Sequence, residues 1–386
     1  MIPYGRQSIS DDDIEAVVRV LRSDWLTTGP NVKEFEDKVA RYCGARHAVA
    51  VNSATSALHI ACLAAGLAPG DTLWTSPNTF IASANAALYC GAEVDFVDID
   101  PRTYNISVAC LESKLAAAEK AGKLPKAVVP VDFAGQSCEM EQIRALADRY
   151  GFTVIEDAAH AIGGRYGERK TGDCAYADMT VFSFHPVKVI TTGEGGMVLT
   201  NNDELYGRLA RLRSHGITRD PAEMSGGSDG PWYYQQLDLG YNYRMTDLQA
   251  ALGSSQMDRI DQFVARRREI AARYTREFAS LPVITPYQRP ETRSAWHLYV
   301  LCLDPARTAK SRSEVFARLV ALGIGVNVHY IPVHTQPYFR RRFGFQPNIC
   351  PNALAYYDAC LSLPIFPGLT DDMQTHVIAS VKEALR

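Results

Sequence analysis

The segment Phe182-Ser183-Phe184-His185-Pro186-Val187-Lys188 ends an apolar run in serine, histidine and lysine, and Thr191-Thr192-Gly193-Glu194-Gly195-Gly196 follows it. A lysine at the end of a core strand is partly desolvated. That favours the neutral amine, which condenses with an aldehyde. The glycines let the backbone pass close to a bound ring or phosphate. Taken alone, Lys188 reads more simply as a solvated residue in a Gly-rich hairpin.

Three further segments change the balance. In Val154-Ile155-Glu156-Asp157-Ala158-Ala159-His160 a carboxylate follows a buried strand. A pyridoxal phosphate enzyme needs such a group against the pyridine nitrogen, where it keeps that nitrogen protonated and the ring an electron sink. Asp157 is equally a helix N-cap. His160 suits either the ring oxygen or a core position. Asn52-Ser53-Ala54-Thr55-Ser56 lies between a strand and a helix, where free N–H groups and short hydroxyls form an anion site, or simply cap the helix. Pro77-Asn78-Thr79-Phe80 follows the next strand and offers an aromatic ring for stacking, or for the core. Each signal is weak alone. Phosphate cup, aromatic, carboxylate and lysine, in that order and all at strand ends, suit one pyridoxal phosphate site. No G-x-x-x-x-G-K-[ST] occurs and no dinucleotide fingerprint, so a P-loop or an NAD-linked oxidoreductase is disfavoured.

The elements that must position these groups are read from periodicity. Ile14, Val17, Val18 and Leu21 repeat at helical spacing after an acidic start, and a second helix begins near Val32. From 47 to 200 strands and helices alternate. Strands are predicted at His47–Val51, Thr72–Thr75, Glu93–Ile99, Ala127–Val131, Val154–Glu156, Met179–Phe184 and Gly196–Thr200. Such alternation predicts an α/β sheet covered on both faces, with ligands at the carboxyl ends of its strands. Helices are expected over 203–214 and, as one long element, 246–277. After Pro282 the texture is α+β: strands over Trp296–Leu303 and Gly325–His329, helices over Ser313–Leu322 and Asp371–Leu385. The expected division is a large α/β domain of residues 1–260 and a smaller one of residues 261–386.

Composition narrows the class. The chain has 386 residues, 47% hydrophobic and 22% charged, as in a globular protein. With 40 Lys+Arg against 43 Asp+Glu the net charge is −3, so nothing points to nucleic acid or to an anionic membrane. The nine cysteines include no C-x-x-C, and reduced thiols are expected rather than disulfides or a metal site. Without an apolar leader or a membrane-length apolar run, a cytoplasmic location is expected. Arg340-Arg341-Arg342 reads as a solvated surface in preference to a nucleotide clamp.

Asn52–Leu58, Glu156–His160, Ser183-Phe184-His185-Pro186-x-Lys188, Thr192–Gly196 and Gly240-Tyr241-Asn242-Tyr243-Arg244-Met245 together resemble the DegT/DnrJ/EryC1/StrS family, nearly from end to end. These are sugar-nucleotide aminotransferases of pyridoxal-enzyme fold type I. Val131–Ser137, Arg213–Gly216 and Val328–Val333 resemble the subgroup acting in pseudaminic acid biosynthesis. The resemblance implies that Lys188 carries the cofactor and shuttles the proton, that Asp157 pairs with the pyridine nitrogen, and that His160 lies near the ring oxygen. It implies stacking by Phe80 and a phosphate site of Ala54, Thr55 and Ser183. Asn242 would reach the phosphate of a neighbouring subunit, which implies a homodimer. Tyr4, the loop Asp24, Trp25, Leu26 and Thr27, Arg244, His329 and Tyr330 would contact substrate. The implied reaction is amination at C4 of a UDP-4-keto-6-deoxy-N-acetylhexosamine, with L-glutamate as donor. Relatives with histidine in place of the lysine are dehydratases; this chain keeps Lys188. Another nucleotide-linked keto sugar (dTDP-, GDP- or a different UDP-sugar) and a non-catalytic cofactor-binding regulator are the alternatives.

Overall fold

A computed structural model describes all 386 residues. Its centre is a seven-stranded sheet of β1 (His47–Val51), β2 (Thr72–Thr75), β3 (Glu93–Phe96), β4 (Ala127–Val129), β5 (Thr153–Asp157), β6 (Met179–Ser183) and β7 (Gly196–Thr200), in the order β1-β7-β6-β5-β4-β2-β3. All run parallel except β7, which is antiparallel to both neighbours. The strands are short and almost wholly buried, which explains why they read as continuous apolar runs without alternation.

Helices α1 (Asp11–Leu21) and α2 (Pro30–Cys43) precede the sheet, and α3 (Ala54–Ala64), α4 (Ala82–Tyr89), α5 (Val108–Ala121), α6 (Met140–Tyr150) and α7 (Asp203–Arg213) are threaded between or after its strands. α3 is Ala/Leu-rich and buried nearly all round, as expected of a helix enclosed by sheet and helices. In α1 the buried positions are Asp13, Ala16 and Val20, while Ile14 and Leu21 face outward.

The long helix expected over 246–277 is two helices, α8 (Asp247–Met257) and α9 (Ile260–Phe278). No proline or glycine marks the break. Arg259 leaves helical geometry with φ −114° and ψ 5°, and its guanidinium hydrogen-bonds the buried Asp13 carboxylate. Lys38 pairs with Asp258 at 2.7 Å. Tertiary ion pairs therefore set the turn.

A second, antiparallel sheet has the order β8 (Val283–Ile284), β9 (Tyr299–Leu303), β10 (Cys360–Leu363). It packs with α9, α10 (Arg312–Ala321) and α13 (Asp371–Ala384), while α11 (Pro337–Phe343) and α12 (Pro351–Ala359) lie toward the large sheet's core. β9 starts later than expected because Trp296 adopts φ 53°, outside the strand region. Gly325–His329 is not a regular strand. Only Asn327 bridges to Ser362, and the carbonyl of His329 is taken by the Tyr356 hydroxyl at 2.6 Å. The proposed division after residue 260 falls at the head of α9. The first residues nonetheless join the small sheet's side, where Ile2 pairs with the segment Gly323–Gly325. All nine cysteines are unpaired thiols, eight of them buried.

Candidate active site

Parallel strands put their carboxyl ends on one edge, and the chemistry collects there. A cavity of about 580 Å³ opens at that edge, within the size range of cofactor and ligand sites. Ala54 and Thr55 reach it from β1, Phe80 from β2, Asp157 and His160 from β5, and Ser183 and Lys188 from β6. Tyr4, His329 and Tyr330 close it from the small-sheet side. Asp24, Trp25, Leu26, Thr27, Asn242 and Arg244 do not line this cavity in a single chain. The loop Asp24–Thr27 is exposed and is held by Thr27 against Thr246. Asn242 is exposed, and Arg244 donates to the Ser214 hydroxyl at 3.1 Å.

The alternation of β5 sends Asp157 toward the cavity edge and Glu156 to the opposite face, where Thr180 donates to it at 2.7 Å. Asp157 is buried. Its carboxylate accepts the Ser83 hydroxyl at 2.6 Å and the Ala159 N–H at 3.2 Å. Burial raises its pKa more than those bonds and the nearby Lys188 lower it. A cationic ring nitrogen against this carboxylate would supply the missing compensation. Ser83 was not legible as a site residue. It sits one turn after Thr79, whose hydroxyl lies 2.7 Å from its own, and that i, i+4 spacing was the available signal.

Lys188 keeps some exposed surface, but that surface faces the enclosed cavity. Desolvation pushes its amine down to about 8, with Asp157 pulling the other way. His160 is held well below the ordinary histidine value by burial and then by Lys188 and His329. His329 is pushed down to about 3 by burial and Lys188. Burial at this edge thus disfavours positive charge, which keeps His160 and His329 neutral and supplies a nucleophilic lysine. His160 Nδ1 accepts the Ala134 N–H at 3.2 Å, which leaves Nε2 to donate to the Tyr330 hydroxyl at 3.1 Å. His297, also absent from the sequence reading, packs its ring 4.4 Å from that of His160.

At the other end, Ser53 caps α3 by accepting the Ser56 N–H at 3.1 Å. The N–H groups of Ala54 and Thr55 then have no partner within the helix and carry its positive dipole end. β7 passes so close that a Cβ on Gly196 would lie 2.6 Å from the Ala54 nitrogen, so only glycine permits this cradle. Phe80 is 57% exposed, free to cover a planar ring instead of packing inward. A buried carboxylate, a desolvated lysine, an exposed aromatic and a helix-end anion cradle match the pyridine nitrogen, aldehyde, ring face and phosphate of pyridoxal phosphate.

The fold and these groups define a pyridoxal phosphate-dependent transaminase of fold type I. The chain belongs to the DegT/DnrJ/EryC1/StrS aminotransferase family, whose pattern matches residues 7–382. It is 43% identical over 387 aligned residues to the spore coat polysaccharide biosynthesis protein SpsC of Bacillus subtilis, covering 100% of this chain and 97% of SpsC. Among solved structures it resembles Helicobacter pylori PseC, an aminotransferase involved in pseudaminic acid biosynthesis. That match has a TM-score of 0.90 and 30% identity, and covers 100% of this chain and 99% of PseC. It also resembles DesV of S. venezuelae, solved in complex with a ketimine intermediate, with a TM-score of 0.86 and 31% identity over 99% of each chain.

Proposed function

We propose that this sugar aminotransferase aminates C4 of a UDP-4-keto-6-deoxy-N-acetylhexosamine with L-glutamate as donor. The product would be UDP-4-amino-4,6-dideoxy-N-acetyl-β-L-altrosamine, on the route to pseudaminic acid. The observation that carries the chemistry is the placement of Lys188 and Asp157 in one cavity at the ends of adjacent parallel strands. The likeness to PseC over the full chain supports the substrate.

In this reading pyridoxal phosphate supplies the electron sink that lets a proton leave carbon. Lys188 would hold the cofactor and, once released, its Nζ would take the proton from one carbon as a base and return it to the other as an acid within each half-reaction. Asp157, fixed by Ser83 and Ala159, holds a proton on the pyridine nitrogen. Ala54, Thr55 and Ser183 bind the phosphate, Phe80 covers the ring, and His160 stands by the ring oxygen. Tyr4, His329 and Tyr330 exclude water and orient the sugar.

Asn242 would complete the phosphate site of a second subunit, with Arg244 and the loop Asp24–Thr27 serving that subunit's substrate. Their absence from the lining of their own cavity supports a homodimer, as do the exposed Trp25 and Leu26. The unpaired thiols support a cytoplasmic location, and no helix is long and apolar enough to cross a membrane.

The higher identity to SpsC favours a second reading, amination of another nucleotide-linked keto sugar. Incubating the holoenzyme and glutamate with each purified UDP-, dTDP- and GDP-keto sugar separates the two. The proposed substrate should give an aminated product of altro configuration by NMR. Amination of a different sugar alone rejects the first reading.

A further inference from the structure

Next to the carboxylate at 157, two further acids meet behind the cofactor cavity. Asp132 follows β4, and Glu156 lies in β5. Neither lines the cavity, and both are buried, Asp132 completely. Their carboxyl groups are within hydrogen-bond reach of each other. Asp132 Oδ1 accepts the Cys138 N–H at 2.8 Å, and Glu156 Oε2 accepts the Thr180 hydroxyl at 2.7 Å. Asp132 Oδ2 receives no N–H or hydroxyl. An ionised carboxylate can only accept, so two of them in contact need a proton between them. No cation takes its place. Arg169 and Lys170 line the small pocket beside Glu156, but Arg169 pairs with Asp173 at 3.0 Å, and the Lys170 ammonium lies 3.3 Å from the centroid of the Tyr42 ring. The other titratable groups around the pair, Asp157, Asp173 and the thiols of Cys138 and Cys174, bring no positive charge.

We propose that Asp132 and Glu156 share one proton, and that this link makes them positioning residues for Asp157 and His160. The backbone carries the connection. The Asp132 N–H donates to the Asp157 carbonyl at 3.0 Å, and the Asp157 N–H to the Pro130 carbonyl at 2.9 Å. The turn that follows, Phe133–Gly135, presents the Ala134 N–H to His160 Nδ1. Ala134 holds φ 58° there, and a Cβ on Gly135 would lie 2.9 Å from the His160 carbonyl oxygen, so the turn has little room to move. The shared proton fastens the residue before that turn to β5. Without the Glu156 carboxyl, Asp132 keeps a buried oxygen with no partner, and the turn that aligns Asp157 and His160 loses its anchor. The inference rests on the placement of Asp157 at the pyridine nitrogen and His160 at the ring oxygen, whichever keto sugar is the substrate.

Infrared difference spectroscopy of the holoenzyme tests the proton, and absorbance and kinetics test the positioning. At neutral pH the spectrum of the unmodified enzyme minus that of Glu156→Gln should contain the carbonyl stretch of a protonated carboxyl, displaced in heavy water. Glu156→Ala should shift the cofactor's visible band and lower kcat by about tenfold, with a smaller effect on KM. Glu156→Gln should restore both, because its amide donates to Asp132 while its carbonyl still accepts the Thr180 hydroxyl. Should Glu156→Ala fail to fold, Glu156→Met fills the volume without the hydrogen bond and takes its place. The proposal is overturned if no protonated carboxyl disappears in Glu156→Gln. It is equally overturned if loss of the carboxyl leaves band and kcat unchanged, or if Glu156→Gln fails to restore them. The infrared band is read without substrate and does not depend on what Asp157 faces. Failure of the site reading shows separately, as covalent cofactor capture that survives Lys188→Ala.

Discussion

His160 and Tyr330 join the two halves of the site through one hydrogen bond, 3.1 Å from ring nitrogen to hydroxyl. His160 is fixed beyond the end of β5, and Tyr330 arrives from the chain near the small sheet. Because Nδ1 already accepts the Ala134 N–H, the ring must be the Nε2–H tautomer to satisfy both contacts. Burial and the nearby Lys188 keep that ring neutral, so it donates to Tyr330 throughout the physiological range.

Replacing Tyr330 by Phe therefore leaves a buried N–H unsatisfied. We expect a loss of about 1 kcal/mol in stability, with a shift of the bound cofactor's visible band as His160 turns toward the ring. Denaturant titration and an absorbance spectrum of the holoenzyme check both. An unshifted spectrum with unchanged stability would show that the contact contributes nothing.

Lys188 sets the pH dependence of cofactor capture. Only the neutral amine attacks the aldehyde, and desolvation lowers its pKa from the usual lysine range to about 8. The rate of reconstitution of cofactor-free enzyme should rise with pH and level off above about 8, instead of climbing toward the value of a free lysine. Lys188→Ala should remove covalent capture and turnover together. A stopped-flow pH series reads the first, and mass analysis after borohydride reduction reads the second.

Much of this site was legible because a parallel sheet gathers strand ends. Once β1, β2, β5 and β6 were recognised as short apolar runs, whatever polar residues followed them had to meet at one edge. That is why Ala54, Phe80, Asp157, Ser183 and Lys188 converge although up to 134 positions separate them in the chain, from 54 to 188. What was not legible depends on tertiary contact. Ser83 lies inside a helix and carries no motif. Nothing local marks the break at Asp258 and Arg259, because the cause is Asp13 on another helix. Gly325–His329 has strand composition, but the Tyr356 hydroxyl takes one of the carbonyls a ladder would need.

Ser83 yields a prediction of its own. Its hydroxyl, 2.6 Å from the Asp157 carboxylate, offsets part of the desolvation of that group. Ser83→Ala should raise the Asp157 pKa further and shift the acidic limb of the kcat/KM profile to higher pH. At its optimum, activity should fall about tenfold. Asp157→Asn removes the charge itself and should cost about a hundredfold to a thousandfold in turnover while covalent capture by Lys188 persists. A pH–rate profile unmoved by Ser83→Ala would show that this bond is structural only.

Asp13 governs stability away from the site. It is fully buried and joins α1 to the α8–α9 turn by accepting the Ser255 hydroxyl at 2.6 Å, the Gln256 amide at 2.6 Å and the Arg259 guanidinium. Burial alone would raise its pKa. The bonds from Ser255, Ser10 and Gln256, with Arg259, outweigh that and hold it below the usual aspartate value. Its contribution is therefore complete above the pKa of the unfolded carboxyl, and is lost as pH falls through the lower folded value. Asp13→Asn keeps the shape but leaves Arg259 without its counter-charge, and should destabilise the holoenzyme by about 3 kcal/mol at pH 7. The penalty should shrink as the medium is acidified below pH 4, because the native carboxyl then loses its own advantage. Urea unfolding of both proteins across that range measures it, and a difference that stays constant with pH would mean that packing, rather than charge, holds the α8–α9 turn.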